Sequence, residues 1–166
     1  MVTVTALALR SALRAHAAGV TVVTAAGPAG PAGVTVTSFT SVSAQPALIS
    51  FALAETSSTW EQIRDCTRFG VQLLGAHQVE VAKLFASSGV DRFAPPTRWH
   101  LGPHGVPLLD DCLCWLICSP YHQAQLGDHH LVVVSVDEVV EGAPGDSLVH
   151  LHSCLRGVPS TDLTRI

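Results

Sequence analysis

Short alternations of hydrophobic and polar residues cover most of the chain and predict a mainly β protein. The predicted strands cover residues 19–24, 33–43, 47–53, 68–74, 113–119, 131–140 and 148–155. Gly- and Pro-rich segments separate several of them, at residues 27–33 and 142–146. Many short strands joined by turns indicate one antiparallel sheet system.

Three stretches depart from this alternation and predict helices. The first covers residues 5–17, where apolar residues recur every four positions. The second starts at Ser57 and Ser58, which are favourable N-caps, and the third covers residues 78–87. Strands and helices do not alternate strictly, which favours a small barrel with flanking helices over a doubly wound sheet.

Composition indicates one domain with a partner. A chain of 166 residues corresponds to about one domain, here residues 1–166. Hydrophobic residues make up 48% and charged residues 13%, which is apolar for a small protein and suggests that part of its surface is buried in an oligomer. The net charge is −4 and no basic run is present, so no nucleic-acid partner is predicted.

Cysteine usage and hydropathy predict a cytoplasmic protein. No segment approaches about 20 uninterrupted apolar residues, and the N-terminus lacks the pattern of a secretory signal. The 5 cysteines are an odd number without the spacing of a disulfide framework. Nine histidines are present, but no Cys-x-x-Cys pair accompanies them, and we predict no metal site.

Hydroxyl side chains are concentrated in two places. Residues 33–43 carry six of them, although a plain core strand needs none, so we infer an extended polar ligand and interpret it as a flavin. Residues 56–59 read Thr-Ser-Ser-Thr at a predicted helix N-terminus, where free N–H groups and the helix dipole favour a phosphate. An ordinary N-cap and a solvated strand face are the alternatives. Neither a Gly-x-Gly-x-x-Gly turn nor a P-loop is present.

An ordered set of motifs resembles one family. The motifs are Gly33-Val-Thr-Val-Thr-Ser-Phe-Thr-Ser-Val-Ser43 with Pro46, Ser57-Ser-Thr-Trp60, Arg68-Phe-Gly-Val71, Leu84-Phe-Ala-Ser87, Asp91-Arg-Phe93, Gly105-Val-Pro-Leu-Leu109 and Gly127-Asp-His129. Together they are similar to the short-chain flavin reductases, the reductase components of two-component flavin-dependent monooxygenases. The resemblance implies a six- or seven-stranded antiparallel split β-barrel of the FMN-binding, Greek-key type. It also implies a homodimer that reduces FMN or FAD with NADH or NADPH and supplies reduced flavin to a monooxygenase.

The resemblance also implies a set of site residues. The positions that match flavin-ring and ribityl contacts are Thr35, Val36, Thr37, Ser38 and Ser41. Those that match the phosphate are Thr56, Ser57, Ser58 and Thr59, and further flavin contacts are Phe85, Ala86 and Ser87. His129 matches the nicotinamide side, where an imidazole could bind the carboxamide or stabilise negative charge on the flavin, and His150 and His152 are placed on the same side.

Three departures from the family pattern bear on this interpretation. Glu55 precedes the predicted phosphate site, where a carboxylate would repel the ligand. Gln72 stands where Asn is commoner, and residues 149–156 lack the two aromatics and the Gly of the family's usual run. A flavin-binding relative without NAD(P)H reductase activity, acting as a carrier or structural subunit or serving another flavin-dependent step, is therefore the alternative function.

Overall fold

The computed structural model describes residues 4–162, which form three α-helices and twelve strands. The helices are α1 (Ala6–Leu13), α2 (Ser58–Ile63) and α3 (Val79–Ala86), and short 3-10 helices span Ala76–Gln78, Pro103–Gly105 and Ser160–Asp162. The strands are β1 (Ala18–Gly19), β2 (Thr21–Gly27), β3 (Gly30–Val36), β4 (Thr40–Ala44), β5 (Ala47–Ala54), β6 (Phe69–Leu73), β7 (Trp99–Leu101), β8 (Pro107–Leu109), β9 (Cys114–Leu126), β10 (His129–Glu141), β11 (Ser147–Leu151) and β12 (Cys154–Val158).

Seven strands form the main sheet, in the antiparallel order β3-β2-β6-β9-β10-β5-β4. The sheet curls so that its ends approach: Ser38, just beyond β3, accepts a hydrogen bond from Ala52 N–H (2.9 Å) and donates one to the Ala52 carbonyl (3.1 Å) in β5. Backbone pairing among the described strands does not close the barrel. The predicted mainly β, six- or seven-stranded antiparallel fold with flanking helices is confirmed, with seven strands in the main sheet and the barrel open along one seam.

Two large clusters make up most of the hydrophobic core. One lies inside the curled sheet, where Phe51 and Phe69 meet edge to face with ring centroids 6.3 Å apart and Ile63 of α2 is fully buried. The other lies under α3, where Phe85 packs edge to face on Phe93 at 5.2 Å. Burying these side chains fixes α2 and α3 against the sheet, and with them the segments that resemble flavin-binding segments.

Several predicted boundaries are wrong. The predicted strand over residues 33–43 is two strands, β3 and β4, and β3 already begins within the predicted turn at residues 27–33. The predicted strand over residues 148–155 is the hairpin β11–β12, which turns at His152 and Ser153 with φ of 50° and 62°. Neither residue is Gly or Pro, so no strong turn signal marks this position.

The ends of other elements also differ from their predicted bounds. The helix predicted over residues 5–17 ends at Leu13, while β9 continues well beyond its predicted end to Leu126 and β10 runs only slightly beyond its predicted bounds. The three-residue strands β7 and β8 were not predicted, because so short a run carries no readable alternation.

All five cysteines are free thiols, with Cys112 and Cys118 buried and Cys154 exposed. The described residues contain no group of three or more His, Cys, Asp or Glu side chains arranged to hold a metal ion. No helix within residues 4–162 combines the length and hydropathy needed to cross a membrane.

Candidate functional site

The predicted phosphate site lies at the start of α2, and its four hydroxyl residues have different surroundings. Ser57 is the N-cap, and its Oγ accepts a hydrogen bond from Trp60 N–H at 3.3 Å. Thr59 is buried, whereas Thr56 and Ser58 are exposed. The ordinary capping role therefore applies to Ser57, and Thr56 and Ser58 are the hydroxyls accessible to a ligand.

α2 is held in place by aromatic stacking as well as by its core contacts. The indole of Trp60 stacks on the imidazole of His130 in β10, with ring centroids 4.6 Å apart and planes inclined by 25°. His130 was not singled out from the sequence, where it looks like one more histidine among nine. Its role here is to fix α2 against the main sheet.

Arg92 connects three of the predicted flavin-binding segments. Its Nη1 donates to Thr59 Oγ1 of α2 at 2.7 Å and to the Gly33 carbonyl of β3 at 2.5 Å. Its Nε and Nη2 both donate to the Ser87 carbonyl just after α3, at 3.1 and 2.5 Å. The motif Asp91-Arg-Phe93 contains Arg92 but predicts no role for it, because contacts with residues 59 and 33 positions away leave no local signal.

No carboxylate in the described part of the chain forms an ion pair with Arg92. Burial lowers the pKa of this guanidinium. Asp91 lies in the same hollow, of about 200 Å³, but its Oδ1 accepts backbone N–H groups from Phe93 and Ala94. A partly desolvated cation with neutral partners favours an anion nearby, so this hollow fits a phosphate group.

The hydroxyls predicted to face the flavin ring are only partly available. Thr35 Oγ1 donates to the Ala82 carbonyl of α3 at 2.7 Å, and the Ser38 hydroxyl is used by Ala52. Val36 is buried in the core, while Thr37 and Ser41 are exposed. Direct side-chain contact with a ligand is therefore open to Thr37 and Ser41, and the role of all five residues stays a prediction.

The residues at the end of α3 that are predicted to contact flavin are also only partly accessible. Phe85 is fully buried, so its ring serves the core. A Cβ at Gly33 would lie 2.8 Å from that ring, so β3 approaches α3 too closely for any side chain at this position. Ser87 Oγ donates to the Lys83 carbonyl at 2.9 Å, and Ala86 is exposed. Contacts from this segment to a flavin would have to come from backbone groups and Ala86.

The predicted nicotinamide-side histidines lie on different elements. His129 is exposed beside the β9–β10 turn, where its Nδ1 hydrogen-bonds Asp128 Oδ1 at 2.8 Å. This bond is the main reason why the pKa of Asp128 is lowered. The Asp128 carbonyl accepts Glu55 N–H at 2.9 Å, which fixes this turn beside the residue that precedes the predicted phosphate site.

A large open cavity of about 840 Å³ lies between α1 and the segment that follows β3. Its walls include Thr37, Ser38 and His150, and also Arg10 and Arg14 of α1. His152 lies outside its lining, in the β11–β12 turn, where its N–H donates to the Arg14 carbonyl at 2.9 Å. The structure thus brings His150 together with two of the predicted ring contacts, whereas His129 and His152 are not part of that wall.

Gln72, one of the three departures from the family pattern, is buried and connects neighbouring strands through side-chain hydrogen bonds. Its Nε2 donates to Thr24 Oγ1 at 2.8 Å, and its Oε1 accepts Leu109 N–H at 2.5 Å. Thr24 Oγ1 in turn donates to the Pro107 carbonyl at 2.5 Å. This network joins β2, β6 and β8, so the amide at position 72 stabilises the sheet.

Comparison with known proteins identifies the family. Residues 13–159 match the sequence profile of the family described as "Flavin reductase like domain", and the chain belongs to that family. It is 39% identical to an NADH:FMN oxidoreductase of Rhodococcus erythropolis, over 90% of this chain and 81% of that protein. It is 30% identical to HsaB of Mycobacterium tuberculosis, the reductase subunit of a flavin-dependent monooxygenase, over 80% and 70% of the two chains. The fold superimposes with a TM-score of 0.86 on a flavin reductase domain protein from Arthrobacter sp. FB24, which is 34% identical, over 95% of this chain and 98% of that one.

Proposed function

We propose that this chain is an NADH-dependent flavin reductase that reduces FMN or FAD and supplies the reduced flavin to a partner monooxygenase. The observation that carries the proposal is the Arg92 guanidinium, which has no carboxylate partner among the described residues and connects the three segments that resemble flavin-binding segments. The names of the relatives support both halves of the proposal, since one is an NADH:FMN oxidoreductase and another is a monooxygenase reductase subunit.

The chain's own residues would bind and orient the two nucleotides. Arg92, Thr56 and Ser58 would hold the flavin phosphate, while the backbone of residues 35–38 and the hydroxyls of Thr37 and Ser41 would contact the ring. A flavin held there would accept a hydride from the reduced nicotinamide, and the protein's contribution would be proximity and orientation. Glu55 is exposed, and we expect it to weaken flavin binding without preventing it.

Absorbance at 340 nm tests this proposal directly. Purified protein with NADH is expected to lose absorbance only when FMN or FAD is added, and NADPH is assayed in parallel. Flavin-dependent oxidation would show that the changes in residues 149–156 still allow nicotinamide use. Flavin binding without oxidation of either donor would instead support a flavin carrier or another flavin-dependent reaction.

His129 is proposed to act on the nicotinamide side of the flavin. His129→Ala is expected to raise the KM for NADH and to leave the Kd for FMN unchanged, because the imidazole is exposed and its described contact is with Asp128. His122→Ala, at an exposed position of β9, is the matched control. Equal losses of NADH use and FMN binding would indicate a structural role for His129.

A homodimer is proposed from the apolar surface of the long β9–β10 hairpin. Tyr121, Leu126, Val139 and Val140 are all exposed there, and a second copy of the chain would cover them. Sedimentation velocity at several protein concentrations tests the dimer, and a monomer at all of them would contradict it. A single domain over residues 1–166 and a cytoplasmic location remain predictions from the sequence.

A further inference from the structure

Two arginines of α1 line the large cavity from the same side. Arg10 and Arg14 are four residues apart, so they share one face of the helix. Both are exposed, and neither takes part in an ion pair among the described residues. Neither arginine belongs to a motif that predicts a role for it.

The cavity carries the positive charges of these two arginines, and no carboxylate of residues 4–162 lines it. Its wall includes His16 and His150 in addition to the two arginines. Arg10 also lies within electrostatic range of the β9–β10 turn, because its charge contributes to the lowered pKa of Asp128 after the larger contribution of His129. The cavity therefore extends from the predicted ring contacts Thr37 and Ser38 towards a basic helix.

This cationic centre is separate from the one at Arg92. The hollow beside Arg92 is lined by residues of β3, α2 and the loop after α3, and it shares no lining residue with the cavity at α1. The structure thus has one basic centre on the phosphate side of the predicted flavin site and a second basic centre beside the predicted ring contacts.

α1 is anchored beside the cavity at both of its ends, although none of its residues is buried. Thr5 caps its N-terminus by accepting Ala8 N–H at 3.2 Å. At its other end, the Arg14 carbonyl accepts His152 N–H from the β11–β12 turn. The turn at residues 152 and 153 therefore positions the arginines, in the region where the chain departs from the family's usual run.

We propose that Arg10 and Arg14 bind the diphosphate of the dinucleotide that donates the hydride, an inference that rests on the proposed function. A donor whose nicotinamide lies against the flavin ring near Thr37 and Ser38 carries its two phosphate charges away from the ring. The arginines line the same cavity as Thr37 and Ser38, and its volume of about 840 Å³ is within the range of small-molecule and cofactor sites. Guanidinium groups bind phosphate oxygens through paired, charge-assisted hydrogen bonds.

A hydride donor without phosphates separates binding of the diphosphate from a general effect on catalysis. We would measure kcat/KM at saturating FMN for NADH and for N-benzyl-1,4-dihydronicotinamide, in the wild type and in the Arg10→Gln/Arg14→Gln variant. For NADH a loss of about 10-fold or more is expected, since charge-assisted hydrogen bonds are lost. For the phosphate-free donor the change is expected to stay within about twofold, because it makes no contact with the arginines.

Two further variants sharpen the test. Arg10→Lys/Arg14→Lys is expected to recover part of the NADH activity, because the charge remains although the paired geometry is lost. Arg98→Gln removes an exposed arginine that pairs with Asp110 and Asp111 and does not line the cavity, and it should behave like the wild type.

Raising the ionic strength from about 0.02 M to about 0.2 M should weaken NADH use in the wild type more than in the Arg10→Gln/Arg14→Gln variant.

Three results would overturn the assignment. An unchanged kcat/KM for NADH would show that the arginines do not bind the donor, and equal losses with both donors would indicate a structural role for α1. Weaker FAD binding in the Gln variant, with NADH use unchanged, would assign the arginines to the adenosine diphosphate part of FAD. A wild type without flavin-dependent NADH oxidation would refute the proposed function and this inference together, whereas an active wild type with insensitive variants would refute the inference alone.

Discussion

At the scale of single residues, Ser57 shows how a structural role and a binding role can share one position. Its hydroxyl caps α2, and the same helix start is where a flavin phosphate is predicted. Aspartate and asparagine are both as favourable at an N-cap as serine. A substitution at position 57 can therefore add a negative charge while the helix stays capped.

Ser57→Asp is expected to reduce FMN affinity by at least about 10-fold, because a carboxylate would lie next to the phosphate. Ser57→Asn is the matched control, with nearly the same shape and no charge, and it should bind FMN within about threefold of the wild type. Isothermal titration or flavin fluorescence quenching measures both. If the two variants bind FMN equally well, the phosphate does not lie at the start of α2.

Ser153 occupies a left-handed backbone conformation, with φ of 62°. This region is unfavourable for residues other than glycine, so Ser153→Gly is expected to raise the free energy of unfolding by about 0.5–1 kcal/mol. Ser147→Gly, in the extended strand β11, should lower it by a similar amount. Urea unfolding of both variants checks the pair, and destabilisation by Ser153→Gly would show that the serine side chain is needed in the turn.

The sequence predicted residues whose chemistry is local and missed those whose chemistry depends on distant partners. Ser57 was identified as a cap from its position before a helix, and the structure confirms that role. Arg92 could not be given its role, because Gly33 and Thr59 reach it only once the sheet has curled. Phe85 was predicted as a flavin contact, and its burial became visible only with Phe93 packed against it.

At the scale of elements, the geometry of the predicted flavin site depends on how β3, α2 and α3 are held together. Thr35 joins β3 to α3 by one hydrogen bond. Arg92 makes four hydrogen bonds, which connect β3, α2 and the residue after α3. The order of these elements was largely predictable, because β3 and α3 have a clear period and α2 starts at favourable N-cap residues. Their junctions, and the break between β3 and β4, were not, since they depend on side-chain contacts across the fold.

Arg92→Gln is expected to weaken FMN binding by about 10-fold or more and riboflavin binding by no more than about threefold, because only FMN carries a phosphate. Arg92→Lys should fall between the wild type and the Gln variant for FMN, since it keeps the charge and loses the fork geometry. Equilibrium binding of the two flavins to each variant, with Arg98→Gln as the control, provides the measurement. Equal losses for riboflavin and FMN would mean that Arg92 only holds the three elements together.

At the scale of the whole molecule, two thiols couple the stability of the fold to alkaline pH. Burial raises the pKa of both Cys112 and Cys118 to about 12, from an ordinary value of 9.0. They lie in different parts of the core, one under α3 and one inside the curled sheet. Between pH 9 and pH 12 the folded state keeps these two protons while the unfolded chain releases them, so unfolding becomes easier as the pH rises.

The free energy of unfolding is therefore expected to be nearly independent of these thiols below pH 9 and to fall above it, by up to about 1.4 kcal/mol per pH unit for each thiol. Urea unfolding between pH 8 and pH 11 measures the slope. Cys112→Ala/Cys118→Ala should show a shallower decline, although it starts from a lower stability, and Cys154→Ala should keep the wild-type slope. The same slope in all three proteins would mean that other groups cause the alkaline loss.

The hydrogen bonds between Ser38 and Ala52 have a consequence for association as well as for shape. β4 pairs with residues 47–50 of β5, so the following residues of that strand lie beyond its reach. An unpaired strand edge is a template on which another chain can add a strand. The Ser38 hydroxyl hydrogen-bonds both the N–H and the carbonyl of Ala52. These are the backbone groups that a longer β4 would pair with. The seam thus stays open without offering that edge for intermolecular β-pairing.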